Sequence, residues 1–129
     1  MRYLLDTTVL IDHAKGRPGV AELVASLFEE SNDLYSCDVV VAEALSGGDE
    51  IQRASIAVLI RAIEYVSTHP DAAAWAGDSR YHRRASGPRS LGDSIIAGIA
   101  WHMDATVVTR NPRDFEAQGV RVLAYGAPT

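Results

Sequence analysis

Short apolar runs alternate along this chain with longer segments whose apolar residues recur at helical spacing, and few folds accommodate that order. Arg2-Tyr3-Leu4-Leu5, Leu34-Tyr35-Ser36-Cys37, Tyr65-Val66-Ser67, Ala105 to Thr109 and Val120 to Leu123 have the length and composition of strands. Between them, Val20, Leu23, Val24, Leu27 and Phe28 share one helical face, as do Ile51, Ser55, Val58, Leu59, Ala62 and Ile63. Strands separated by helices are joined by crossovers rather than hairpins, so the expected fold class is α/β with a mostly parallel sheet. At 129 residues, 1–129 reads as a single domain with one core.

Turn chemistry sets the expected boundaries. Gly16 to Gly19 is a loop, Gly47-Gly48 stops the helix that carries Val39 to Leu45, and Asp49 with Gln52 has the spacing of a capping box. Pro70 suits the first turn of an alanine-rich helix running towards Arg84, which Ser86-Gly87-Pro88 ends. Ser90 then precedes Asp93 by capping-box spacing, opening a helix that reaches about His102. Arg110 to Phe115 reads as a polar turn.

Composition narrows the function classes. With 47% hydrophobic and 22% charged residues the chain is ordinary for a soluble globular protein. No apolar run approaches the roughly 20 residues of a membrane span, and an acid at Asp6 comes too early for a signal peptide, so the expectation is a cytoplasmic protein. The one cysteine, Cys37, admits no internal disulfide and reads as a small buried hydrophobe. A net charge of −5 argues against nucleic-acid binding by charge alone, yet Arg80, Arg83, Arg84 and Arg89 form a local basic segment beside Tyr81 and His82. That segment is where RNA phosphates would be met; a solvated helix end is the alternative.

The acids are more telling. Asp6 follows the first strand, where open parallel sheets place their sites. Glu43 is the lone acid of an apolar helix, so it faces water or is held by a partner. Asp93 lies in a helical first turn, where the helix dipole favours it whether it caps or does more. With the turn at Asn111 and Asp114, strand ends and helix starts bring these groups to one sheet edge. Carboxylates so gathered repel, and a hard divalent cation relieves the repulsion; oxygen-only donors favour Mg²⁺ or Mn²⁺. Such an ion is suited to polarising a phosphate, which makes phosphodiester hydrolysis the natural reaction. Thr8 and Thr109 are placed to support the acids or only to cap, and Asp12 is expected at the surface or capping. His13, His69, His82 and His102 share no metal-ligand spacing and read as surface or helix-end residues, Trp75 and Trp101 as core or interface anchors.

Leu4 to Asp12, the internal Glu43, Leu91-Gly92-Asp93-Ser94-Ile95-Ile96-Ala97 and Val108 to Phe115 together resemble the PIN domain, and within it the VapC-type toxins of bacterial toxin–antitoxin pairs. The resemblance covers essentially the whole chain, in order. It implies a three-layer α/β/α PIN-like fold with a mostly parallel central sheet, and a Mg²⁺- or Mn²⁺-dependent endoribonuclease with Asp6, Glu43 and Asp93 as metal-binding catalytic acids. It also implies a cognate VapB-like antitoxin and a homodimer. The family's fourth acidic position falls at Asn111, whose amide can ligate a cation but adds no charge; Asp114 is the candidate replacement, or only fixes the turn. The alternative reading is a catalytically degenerate PIN-like module that binds RNA or a protein partner. A receiver domain is disfavoured because no lysine follows Lys15, and a haloacid-dehalogenase-like phosphatase because Thr8 stands where a second aspartate is needed.

Overall fold

Leu4 and Leu5, both fully buried, begin the core at the centre of the sheet. The computed structural model describes residues 1–29, 31–87 and 90–126. Its strands are β1 (Arg2–Leu5), β2 (Asp33–Cys37), β3 (Glu64–Val66), β4 (Thr106–Thr109) and β5 (Val122–Ala124). All pair in parallel, in the order β3-β2-β1-β4-β5. The chain builds leftward from β1 to β3, then returns to β4 on the other flank of β1. Because parallel crossovers are right-handed, that reversal puts helices on both faces and makes the α/β/α sandwich.

The helices among the described residues are α1 (Thr7–Ala14), α2 (Val20–Glu29), α3 (Asp38–Ala44), α4 (Glu50–Ala62), α5 (Pro70–His82), α6 (Leu91–Met103) and α7 (Pro112–Glu116). Their starts follow local chemistry. Asp49 and Gln52 form a reciprocal capping box for α4, and the Ser90 hydroxyl accepts the Asp93 N–H at 3.2 Å to start α6. Asp104 at φ 55° ends α6 in the left-handed region. All four residues of β4 are buried, as a strand covered on both faces must be. Val9, Leu10, Ile96, Ile99 and Phe115 fill the layers of the core with it. Each such side chain contributes roughly 1.5–3 kcal/mol on burial. Cys37 is fully buried at the end of β2, as expected.

The alanine-rich sequence of α5 has a packing reason. A Cβ added at Gly98 of α6 would stand 2.4 Å from the Ala72 carbonyl oxygen, so backbone meets backbone where α5 crosses α6. No helix among the described residues is long and apolar enough to cross a membrane.

Three expectations need correction. Residues 112–116 form a short helix rather than a plain polar turn, because Pro112 presets the first turn and Phe115, 1% exposed, anchors the segment in the core. The alanine-rich helix ends at His82, and Arg84–Ser86 continue as a 3₁₀ turn. Asp12 is buried, not at the surface: it meets Arg17 Nε at 3.1 Å and Arg110 Nε at 3.3 Å, and accepts the Tyr125 hydroxyl at 2.8 Å. The Arg110 contact is one of charge without an aligned hydrogen bond. Burying a carboxylate is tolerable only with such partners, and two of them, Arg110 and Tyr125, arrive from the far end of the chain.

Candidate active site

The site grows from the topological switch point. β1 and β4 are neighbours whose connections leave in opposite directions, and the crevice beyond their carboxyl ends is where open α/β sheets bind ligands. Asp6 is the first residue past β1. Its N–H still reaches the Val108 carbonyl of β4 at 3.0 Å, while its side chain caps α1 by accepting the Thr7 N–H at 2.8 Å. The other carboxylate oxygen accepts the Thr109 hydroxyl at 2.8 Å and the Thr8 hydroxyl at 3.2 Å. Thr109 in turn accepts the Asn111 N–H at 3.0 Å, so one buried hydroxyl ties the turn after β4 to the acid after β1. Burial raises the Asp6 carboxyl above its ordinary value; the Thr109, Thr7 and Thr8 hydrogen bonds oppose this, and Glu43 adds to it.

Glu43 projects from α3, exposed, with Oε1 accepting the Thr7 hydroxyl at 2.7 Å. Its Oε2 lies 2.6 Å from where a Cβ on Gly92 would stand, which sets the carboxylate against the first turn of α6. Asp93 is the next residue of that turn. Its carboxyl is pushed up to about 7, first by burial, then by the charges of Asp6, Asp114 and Glu43. Asp114, exposed in the first turn of α7, therefore belongs to the same electrostatic cluster. Asn111 caps that helix position without a side-chain capping bond.

Asp6, Glu43 and Asp114 together set Asp93 in an acidic crevice, where their charges and its burial favour its protonated form. Oxygen donors of this kind suit a hard cation such as Mg²⁺ or Mn²⁺. Beside Glu43 opens a cavity of about 390 Å³ between α1, α3 and α4, lined by Ile11, Ala14, Ala44, Gln52 and Ile56 among others.

The basic segment closes α5, which runs antiparallel to α6. Arg80 is exposed in the last turn of α5, and Arg84 stacks over the Tyr81 ring at 3.9 Å while donating to the Tyr81 carbonyl at 2.6 Å. Arg83 is half-buried, and Arg89 lies outside the described residues. Two contributors escaped the sequence reading. Thr7 holds Glu43, and Gly92 makes room for it; the signal for Gly92 was a poor helix former placed directly before Asp93. His69 and His102 are exposed at helix ends, as expected, and although they share no spacing in sequence the pairing of α5 with α6 brings both together with Asp71.

Relatives agree with the architecture. A sequence profile of the PIN domain matches residues 3–119. Ribonuclease VapC19 of Mycobacterium tuberculosis is 31% identical over 114 residues, covering 87% of this chain and 90% of the relative. Among solved structures, VapBC2 of Rickettsia felis shares the fold with a TM-score of 0.84 at 19% identity, over 98% of this chain and all of that one. DNA-bound VapBC of Salmonella typhimurium matches with a TM-score of 0.78 at 25% identity, over 96% of this chain and 98% of that one. Fold and sequence profile agree, and the chain belongs to the PIN domain family.

Proposed function

We propose that this protein is a metal-dependent endoribonuclease, the toxin of a VapBC-type pair held in check by a cognate VapB-like antitoxin and acting in the cytoplasm. The observation that carries this reading is the carboxylate cluster at the switch point, with Asp93 pushed up to about 7 by burial and by its acidic neighbours. Asp6, Glu43 and Asp93 would hold the cation, joined by the Asn111 carbonyl oxygen or the Asp114 carboxylate. A bound Mg²⁺ or Mn²⁺ supplies Lewis-acid polarisation of the scissile phosphate.

The protein's own groups do the rest. Thr8, Thr109 and the Thr7 N–H fix both oxygens of Asp6, so that acid does not reorganise during the reaction. Thr7 aims Glu43, whose exposed carboxylate is placed to orient a water for in-line attack on phosphorus. Attack breaks the bond to the 3′ oxygen, which takes a proton, leaving a 3′-hydroxyl and a 5′-phosphate. Arg80, Arg83, Arg84 and Arg89 would meet the RNA backbone.

The 390 Å³ cavity beside Glu43 fits a partner's apolar segment. A following arginine would reach the acids and neutralise them, which is how an antitoxin silences the site. Trp101, half exposed and stacked on Trp75 at 5.7 Å, offers an anchor for a homodimer; sedimentation at monomer mass would count against it. Asn111 favours a second reading, a degenerate module that binds RNA or a partner without cutting, since an amide there lowers the charge available to a second ion.

Isothermal titration of the antitoxin-free protein with Mn²⁺ separates the two. The nuclease reading expects a site whose affinity falls at least tenfold in both Asp6→Asn and Asp93→Asn. Equal Mn²⁺ binding by wild type and both variants would refute it.

A further inference from the structure

His69 is the N-cap of α5, where its Nδ1 accepts the Asp71 N–H at 3.0 Å and lies 3.7 Å from the Asp71 carboxylate. His102 stands in the last turn of α6. The two imidazole rings stack with centroids 4.4 Å apart and planes 15° from parallel. One donor atom from each of His69, Asp71 and His102 lies within 4.8 Å of the others, and among the described residues no other group of His, Cys, Asp or Glu is gathered as closely. His102 follows Asp93 by nine residues on α6, roughly 13 Å along the axis at 1.5 Å per residue, so this group is separate from the carboxylate crevice.

Two imidazoles and one carboxylate are not a Mg²⁺ donor set. They match borderline divalent ions such as Zn²⁺, Co²⁺ and Ni²⁺, which bind nitrogen more readily than the alkaline earths do. We propose that His69, Asp71 and His102 form a second metal site that takes a Zn²⁺-class ion and clamps the start of α5 to the end of α6, with the remaining coordination positions open.

The distances admit this without moving the backbone. Metal–donor bonds of about 2.0–2.2 Å in a tetrahedral shell put donor atoms roughly 3.3 Å apart. The present set must close by no more than about 1.5 Å, within reach of side-chain rotation at exposed residues. All three side chains are exposed, and an ion can reach them from solvent. The rings must tilt out of their stack so that both lone pairs converge, and coordination through His69 Nδ1 would exchange the cap bond to Asp71 N–H for one to the ion. The frame is rigid where it matters: the backbone contact at Gly98 and Ala72 fixes α5 against α6 one turn away.

The test is titration of the full-length, antitoxin-free Asp93→Asn protein with Co²⁺, read by visible absorption, and with Zn²⁺, read by calorimetry. The disabled carboxylate site keeps the two sites apart. The proposal expects one equivalent bound at micromolar affinity, at least tenfold weaker in His102→Ala and in His69→Gln. Zn²⁺ should raise Tm, and His102→Ala should abolish that rise while leaving Mg²⁺-dependent RNA cleavage unchanged in the otherwise wild-type chain. Zn²⁺ binding unchanged in both histidine variants, or none below millimolar concentration, would overturn the proposal. Loss of cleavage with Zn²⁺ binding intact would bear on the nuclease reading alone.

Discussion

Gly92→Ala separates stability from function at a single atom. Gly92 sits in the first turn of α6, where alanine is the better helix former by up to about 1 kcal/mol. The added Cβ, however, would stand 2.6 Å from Glu43 Oε2. A carbon and an oxygen settle at about 3.3 Å or more, so the carboxylate must retreat by roughly 0.7 Å. Glu43 is an exposed side chain and can do so, but only by straining or breaking its 2.7 Å bond from the Thr7 hydroxyl, worth about 1 kcal/mol net. The two effects nearly cancel in stability, and we expect a change within about 1 kcal/mol by chemical denaturation. Misplacing a positioning group by most of an ångström costs about ten- to a hundredfold in rate. The expected result is a folded protein with cleavage of a defined RNA oligonucleotide reduced by that factor. If Glu43 mediates the effect, Gly92→Ala added to Glu43→Gln should cost nothing further. A wild-type rate in Gly92→Ala, or an equal loss in both backgrounds, would refute the reasoning.

Other perturbations follow from the same geometry. Asp93 titrates near 7 in the fold against a reference of 3.8, so the unfolded chain ionises first. Its contribution is therefore fully present below about pH 4 and is lost as pH rises towards 7. Thermal melts in EDTA should show wild type losing stability relative to Asp93→Asn across that window, and Mn²⁺ should reverse the loss; parallel pH profiles would contradict it. Asp12→Ala strands the buried Arg110 guanidinium and removes the Tyr125 contact, so a loss of about 3–5 kcal/mol is expected in denaturant titration, and a change under 1 kcal/mol would show the ion pair to be dispensable. Gly98→Ala must push α6 off the Ala72 carbonyl, and overpacking of this kind costs about 1–3 kcal/mol despite the gain in helix propensity; a raised Tm would contradict the close approach.

Much of the fold was legible because its signals are periodic and local. Leu4 and Leu5, the Asp49–Gln52 box and the Val107–Val108 run each announce an element within a few residues. The helix at 112–116 was not, since five residues with one apolar anchor, Phe115, carry no period. Asp12 was misread because Tyr125 reaches it from 113 positions away, and only the closed fold brings them together. His69 and His102 meet for the same reason, through the packing of α5 on α6. The acids at Asp6, Glu43 and Asp93 stood out as charges set in apolar runs. Their supports at Thr7 and Gly92 did not, because a hydroxyl or a missing Cβ gains meaning only from what lies opposite it.

The central claim is that the carboxylates of this crevice serve RNA hydrolysis. The most direct measurement is incubation of antitoxin-free protein with total cellular RNA in Mg²⁺ or Mn²⁺, with the new ends mapped by sequencing, alongside EDTA and Asp93→Asn controls. The account predicts discrete cuts bearing 5′-phosphates that vanish in both controls. Cuts that persist with Asp93→Asn at the wild-type rate, or an absence of cuts from protein that binds Mn²⁺ normally, would contradict it.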